Sequence, residues 1–448
     1  MCRPIRAAST APSAPLGLKG AREILQATPA SPPPIPVISQ SADACGSQTQ
    51  TDDTGFTGPS SGDDCWGDDG GSCSGAGVVA ADGKVDYSPP VEHSLRIYVG
   101  TWNMHAKDPP ERLAPFLPNG KGEYELYAIG TQEAERSISR SVLVSSKAKW
   151  EARLHEALGS GYVRICRHTL TAIHLAVFIK RELLPLVSHV QSAHVATGIG
   201  NKLGNKGGIG ISFQLGRTSV LLINCHLSAH QHKVHERDKD FHRIDEQLPL
   251  RPPPGNSGAD DASGGACACF DAVVWFGDLN YRIRGNRNAI EALCSPASGI
   301  VRARARRAGE WAGEEAYWAS MREVLLANDQ LRRQQALGSA FKGFVEAPIT
   351  FKPTYKFDAE SDSYDTGEKR RAPAYTDRIL YKGRGAETIR ALQYDACSQM
   401  RTSDHRPVFA LLEVRYELST RAGSSHRRRL ERRRSRSRGA ANDSCLVS

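Results

Sequence analysis

Between Leu95 and Leu418 eight short apolar runs rich in β-branched residues recur: LRIYVG, YELYAIG, HLAVFI, GGIGISF, SVLLINC, AVVWFG, DRILY and PVFALLEV. Runs of this length and composition, separated by polar and glycine-bearing stretches, read as strands. Helical patterns lie between them at Glu236–Leu248, Asn288–Leu293 and Glu314–Arg333. Strands interleaved with helices over about 320 residues predict one α/β domain spanning residues 91–418. Two segments inside it, the Pro/Gly/Ser/Asp stretch Pro252–Ala268 and the basic stretch Arg302–Arg307, read as surface loops. No internal repeat is visible.

The flanks have a different texture. Residues 1–90 are rich in Ala, Ser, Pro, Gly and Thr without hydrophobic period. Such a segment buries too little apolar surface to offset its ordering entropy, so a disordered tail is expected. Arg3, Arg6, Lys19 and Arg22 stand against Glu23 there, a bias shared with transit peptides, but a flexible tail explains it as well. Residues 419–448 form a basic tail. Its stretch 427–438, RRRLERRRSRSR, holds eight arginines and one glutamate and accounts for +7 of the chain's net +9, so the rest is nearly neutral. The 11 cysteines are scattered without paired CxxC spacing, which argues for a reducing compartment and against a structural zinc. No apolar run approaches the roughly 18 residues of a bilayer span.

Polar clusters abut five of the runs. LRIYVG leads into Thr101-Trp102-Asn103, YELYAIG into Thr131-Gln132-Glu133, SVLLINC into His226, and AVVWFG into Asp278-Leu279-Asn280; Ser403-Asp404-His405 precedes PVFALLEV. One such cluster would be a turn, since Asp and Asn favour turns. Five at successive strand ends predict a site gathered at one edge of the sheets. Glu133, with Asp278 and Asn103, offers the hard oxygen ligands that suit Mg²⁺, and no His/Cys cluster competes for a softer metal. Histidines and amides suit a phosphoryl group whose charge spreads over three oxygens. No covalent nucleophile stands out, so direct attack by water is the simpler chemistry.

Two stretches carry a family resemblance. Trp275-Phe276-Gly277-Asp278-Leu279-Asn280-Tyr281-Arg282 and Arg371-Ala372-Pro373-Ala374-Tyr375-Thr376-Asp377-Arg378-Ile379-Leu380 resemble the signatures of the inositol polyphosphate 5-phosphatases, within the endonuclease/exonuclease/phosphatase superfamily. GNKGG at 204–208, His226-Leu227 and the FKPTYKFD stretch at 351–358 add to it. The resemblance covers roughly residues 93–418. It implies a four-layer sandwich, two β-sheets face to face with helices outside.

It also implies roles. Glu133, with Asn103 beside it, matches the metal ligand; Asp278 would polarise the attacking water and Asn280 position it. His405 would contact the scissile phosphate, oriented by Asp377, with Asp404 in the metal and water shell and His226 on a phosphate oxygen. Lys206 would hold the substrate's phosphates, with Arg282 and Arg378 supporting the site. Tyr355, Lys356 and Lys369 match residues that recognise a neighbouring 4-phosphate; a cation and a phenol each bond strongly to phosphate oxygen. Thr376, Tyr375 and Phe357 stand where cysteine, tryptophan and tyrosine are commoner, which leaves the charged residues intact.

The resemblance thus implies a Mg²⁺-dependent phosphomonoester hydrolase acting on the 5-phosphate of phosphoinositide lipids, soluble inositol polyphosphates, or both. A nuclease or other phosphodiesterase of the same superfamily shares the Asn, Glu, Asp-x-Asn and Ser-Asp-His elements, and the RAPAYTDRIL and PTYK stretches argue against it. An inactive lipid-binding scaffold is the alternative from another class, against which Asp278, Glu133 and His405 all speak. Nucleic acid is not expected as a partner. The last residues, Cys445-Leu446-Val447-Ser448, fit a prenylation pattern. A lipid on Cys445 beside a polybasic stretch predicts peripheral attachment to the anionic cytosolic face of a membrane.

Overall fold

The computed structural model describes residues 92–117, 124–134, 140–198, 200, 204–253 and 264–418. The tails expected at 1–90 and 419–448, with Cys445, and residues 254–263 lie outside the described residues. In chain order the strands are β1 Glu92–Asn103, β2 Leu126–Gln132, β3 Tyr162–Leu170, β4 Ile173–Lys180, β5 Val187–Ala196 and β6 Gly207–Leu215. They continue as β7 Thr218–His226, β8 Ala272–Asp278, β9 Val345–Glu346, β10 Asp377–Gly383, β11 Ile389–Ala396 and β12 Val408–Glu417. They make two six-stranded mixed sheets, ordered β11-β12-β1-β2-β4-β3 and β5-β6-β7-β8-β10-β9.

Side-chain alternation along the strands builds the layers. Ile97 and Val99 of β1 share one core with Val220 and Leu222 of β7 and Val274 and Phe276 of β8, so this core lies between the sheets. The intervening residues point outward. Tyr98, Trp102 and Tyr127 pack under Trp150 and Leu154 of helix α1 (Arg140–Leu158). Leu221, Ile223 and Trp275 pack under Phe241 and Ile244 of helix α2 (Val234–Gln247). Trp275 lies 4.9 Å from the Phe241 ring and 5.4 Å from Phe341. Each such aromatic contributes on the order of 2 kcal/mol by leaving water. The result is the expected sandwich of helix, sheet, sheet and helix.

The eight apolar runs are the eight interior strands. The four edge strands β3, β5, β9 and β11 carry no such run. Their burial is mixed, whereas β2, β7 and β8 are buried along their whole length.

Three other expectations are corrected. The pattern Glu314–Arg333 is two helices, α6 Glu314–Ala327 and α7 Gln330–Ala336. Asp329 breaks it by capping the second, its Oδ1 accepting from Arg332 N at 3.0 Å. The basic stretch expected as a loop is the helix Gly299–Arg307, capped by Ser298 Oγ; Ala and Arg are strong helix formers and a capping serine suffices to start them. The end of the expected loop Pro252–Ala268 is likewise structured, as the short helix Ala266–Cys269 with Cys267 and Cys269 buried. In chain order after α2 these helices are α3 Ala266–Cys269, α4 Arg287–Cys294 and α5 Gly299–Arg307, ahead of α6 and α7. No described helix is long and apolar enough to cross a membrane.

Candidate active site

Strand pairing in the second sheet sets three site residues side by side. His226, the last residue of β7, pairs in register with Asp278, the last of β8, and Asp278 pairs with Asp377, the first of β10. The first sheet delivers Asn103 from the end of β1 and Glu133 from just past β2. The sheets meet closely here because Gly130 has no side chain. A Cβ at Gly130 would lie 2.5 Å from Asn224 Cγ of β7. Asn224 instead accepts from Gln132 Nε2 at 2.7 Å and donates to the His174 carbonyl at 2.9 Å, making a polar seam between the sheets.

Asp278 is 1% exposed and receives bonds from both sheets. Its Oδ2 accepts from Asn103 Nδ2 at 3.0 Å and lies 3.2 Å from His226 Nε2, while Oδ1 accepts from Asn280 N at 3.1 Å. Burial pushes its pKa up, but His226, His405 and Lys206 outweigh this and hold the carboxyl well below the usual range. Asn280 keeps its place by donating from Nδ2 to the Leu227 carbonyl at 3.0 Å and by taking the Arg282 guanidinium on Oδ1. Arg282 in turn lies over the Tyr355 ring at 4.2 Å. Both Glu133 and Asn280 have positive φ, 49° and 57°. Such backbone costs on the order of 1 kcal/mol for an L residue and turns each side chain toward the cleft.

On the other side His405 Nδ1 lies 2.9 Å from Asp377 Oδ2. The same oxygen accepts from Thr354 at 2.8 Å and from Thr376 at 2.9 Å. Burial lowers the His405 pKa, but Asp377, then Asp404 and Asp278, overcome it and raise the imidazole to about 10. Trp102 Nε1 fixes the loop from the first sheet by donating to the His405 carbonyl at 3.2 Å. Lys206 Nζ touches His226 Nε2. Burial, only partly countered by Asp278 and Glu133, brings Lys206 down to about 8.

The oxygen donors fit a hard divalent cation. Glu133 has a side chain 41% exposed at the mouth of an otherwise buried cluster. Its carboxyl, raised by burial but lowered further by His105, His226, His405 and Lys206, is held at about 2. Asp404 lies close, since His105 Nδ1 sits 3.6 Å from Glu133 Oε2 and 3.4 Å from Asp404 Oδ1. Carboxylate and amide oxygens without a thiolate match Mg²⁺ or Ca²⁺. Asp278, Asp377 and His405 also have ligand atoms within 4.8 Å of one another. The Asp377 oxygens, however, are taken up by two threonines and His405, so that trio orients an imidazole rather than cages an ion.

The structure therefore gathers Asn103, Glu133, Lys206, His226, Asp278, Asn280, Arg282, Tyr355, Asp377, Asp404 and His405. Lys356 is one residue from Tyr355 and faces Asp365 at 3.7 Å, whereas Lys369 is exposed on the surface. Arg378 is not a substrate residue. It is 0% exposed, with Nη1 donating to both oxygens of Asp329 at 3.0 and 3.1 Å and Nε and Nη2 forming a bidentate pair with Glu346; its alternation along β10 points it away from its neighbour Asp377. Sequence reasoning missed His105, whose backbone N–H donates to Asn103 Oδ1 at 3.0 Å, and the threonines on Asp377. Position in the TWNMH stretch was the available sign for His105.

Residues 100–411 match Endonuclease/Exonuclease/phosphatase family 2. The chain belongs to this family. It is 36% identical over 344 residues to the rat phosphatidylinositol polyphosphate 5-phosphatase type IV, covering 75% of this chain and 48% of the relative. It is 33% identical over 331 residues to the mouse type II inositol 1,4,5-trisphosphate 5-phosphatase, covering 72% of this chain and 30% of the relative. The chain thus spans about half the length of the first of these relatives and less than a third of the second. Among solved structures it resembles the inositol polyphosphate 5-phosphatase domain of a synaptojanin, in complex with inositol 1,4-bisphosphate and calcium. The TM-score is 0.58 at 29% identity, with 78% of this chain and 94% of that one covered.

Proposed function

We propose that this family 2 member is a Mg²⁺-dependent phosphatase that removes the 5-phosphate from a 4,5-bisphosphorylated inositol head group by direct attack of water. The observation that supports it most is the convergence of strand-end residues from both sheets on Asp278, beside an imidazole that carries its own carboxylate. Relatives named for 5-phosphatase activity support the substrate class.

The chain's residues divide the work. Asp278, charged and hydrogen-bonded on both oxygens, accepts a hydrogen bond from the attacking water and turns its lone pair toward phosphorus. Asn280 keeps one amide hydrogen free for that water, because Leu227 and Arg282 use the rest of the group. His405, held charged by Asp377, offers Nε2–H to a phosphate oxygen as charge grows there; a positioned donor of this kind contributes about 10²–10³ in rate. Lys206 and His226 hold further phosphate oxygens. Glu133, Asn103 and Asp404 hold the divalent cation, which when bound neutralises phosphate charge and acidifies water. Tyr355, Lys356 and Lys369 meet the neighbouring 4-phosphate. The cytosolic membrane placement through the basic tail and Cys445 belongs to the same proposal.

The test is phosphate release from inositol 1,4,5-trisphosphate, phosphatidylinositol 4,5-bisphosphate and phosphatidylinositol 3,4,5-trisphosphate, each with Mg²⁺ and with a chelator. Release at the 5-position that requires Mg²⁺ is expected. Cleavage of a phosphodiester, with every 5-phosphate left intact, would overturn the reading.

A further inference from the structure

Helix α5 buries none of its residues. Its inner side is tied down by Arg302, which donates to the Ala297 carbonyl at 2.8 Å and faces Glu314 at 3.5 Å. A helical period of 3.6 then sets Ile300, Ala303, Arg304 and Arg307 on one outward face, all exposed. Ile300 is 80% exposed and Val301 40%. Arg304, Arg306 and Arg307 form no ion pair among the described residues, and Glu314 is engaged by Arg302. Beside the helix runs a largely apolar groove of about 360 Å³ lined by Val301, Ala305, Trp311, Tyr317 and Met321, with Arg304 and Glu310 at its polar edge.

We propose that α5 docks the catalytic domain on an anionic lipid bilayer, with Ile300 entering the headgroup–acyl boundary and Arg304 and Arg307 lying against lipid phosphates. Two outward, unpaired guanidinium groups select an acidic partner. The exposed isoleucine and the groove select lipid over nucleic acid, because an interfacial helix buries its apolar side in the boundary region while a phosphate backbone offers nothing to bury it against. The inference does not rest on the hydrolytic reading: the acidic lipid need not be a substrate.

The experiment uses the full, unlipidated chain and sedimentation with phosphatidylcholine vesicles that contain or lack phosphatidylserine. Wild type is expected to partition onto the acidic vesicles. The Arg304→Gln/Arg307→Gln variant should lose about fivefold per arginine, and Ile300→Ser about tenfold. Both should hydrolyse soluble inositol 1,4,5-trisphosphate at the wild-type rate, since no altered residue belongs to the catalytic cluster; the vesicle readout stands whether or not that activity is found. Partitioning unchanged in the double variant would overturn the proposal by assigning all membrane binding elsewhere in the chain. So would intact vesicle binding alongside loss of binding to polyuridylic acid, which would make the helix a nucleic-acid surface.

Discussion

Asp377 Oδ2 stands 2.9 Å from His405 Nδ1 and is held from the other side by the Thr354 and Thr376 hydroxyls. The carboxylate thus fixes which edge of the ring faces the cleft and keeps the ring charged. Asp377→Asn retains the shape and the threonine contacts but removes the charge that opposes burial, so the imidazole should fall from about 10 toward neutrality or below. The expected outcome is a loss of about 10²–10⁴ in kcat with little change in KM. Phosphate-release kinetics measure the rate, and an NMR titration of His405 measures the proton. An Asp377→Asn enzyme whose His405 still titrates near 10 would contradict the assignment.

The alkaline limit of activity should come from Lys206 rather than His405. Lys206 sits at about 8 because burial lowers it more than its acidic neighbours raise it, so its charge disappears as pH rises through that value. His405 loses its proton only near 10. Substrate affinity should therefore weaken above about pH 8, seen as rising KM, before kcat falls. Lys206→Arg keeps its charge across that range, and the KM limb should vanish from its pH profile. The same shifts bear on stability. His405 is raised above its unfolded value of 6.5, so its contribution is complete below 6.5 and is lost as pH climbs toward 10.

Arg378 belongs to the scaffold. With 0% exposure and two acidic partners, Asp329 and Glu346, it anchors β10 to the start of α7 and to β9. Removing one member of a buried ion network leaves the others charged and unpaired, a cost of about 3–5 kcal/mol. Arg378→Met should lower the unfolding free energy in urea by that amount, while kcat/KM per folded molecule stays within a few-fold of wild type. A large catalytic loss at unchanged stability would return Arg378 to the substrate site.

The parts of the fold that were legible in the sequence are those buried on both faces. β7 and β8 have helices on one side and the opposite sheet on the other, so every residue in them is apolar or paired, and the run shows. β3, β5, β9 and β11 lie at the sheet edges with mixed burial, and a strand such as VSHVQSAHVA carries polar residues that hide it. The candidate site was legible for a related reason: its residues interrupt apolar runs at their ends, where a charge is conspicuous. Arg378 misled because it sits one residue from Asp377 in a signature stretch, and only the strand's alternation separates a buried ion pair from a cleft residue. The Thr354 hydroxyl and the His105 ring act through contacts made by distant segments, to which linear spacing is blind. The arginine-rich stretch was hidden by its charge, although Ser298 and the alternating alanines and arginines specify a helix.

Gly130 links the packing of the sheets to the geometry of the site. Its missing side chain lets Asn224 reach across from the second sheet to Gln132, next to the proposed metal ligand Glu133. In Gly130→Ala the added Cβ would fall 2.5 Å from Asn224 Cγ and 2.7 Å from Phe276 Cε2, so the sheets must part at this end or Asn224 must swing away. Overpacking of this kind costs about 1–3 kcal/mol. Parting the sheets also separates Glu133 and Asn103, carried by the first, from Asp278 and His226, carried by the second. Apparent Mg²⁺ affinity should therefore weaken together with the unfolding midpoint. Asn224→Ala in the Gly130→Ala background relieves the clash with Asn224 but not the one with Phe276, and leaves Gln132 without its partner, so it should recover part of the packing and not the full Mg²⁺ response. Urea unfolding and the Mg²⁺ dependence of phosphate release, compared across wild type and these two variants, separate the two effects. A Gly130→Ala enzyme with wild-type values in both measurements would show that the close approach of the sheets does not position the site.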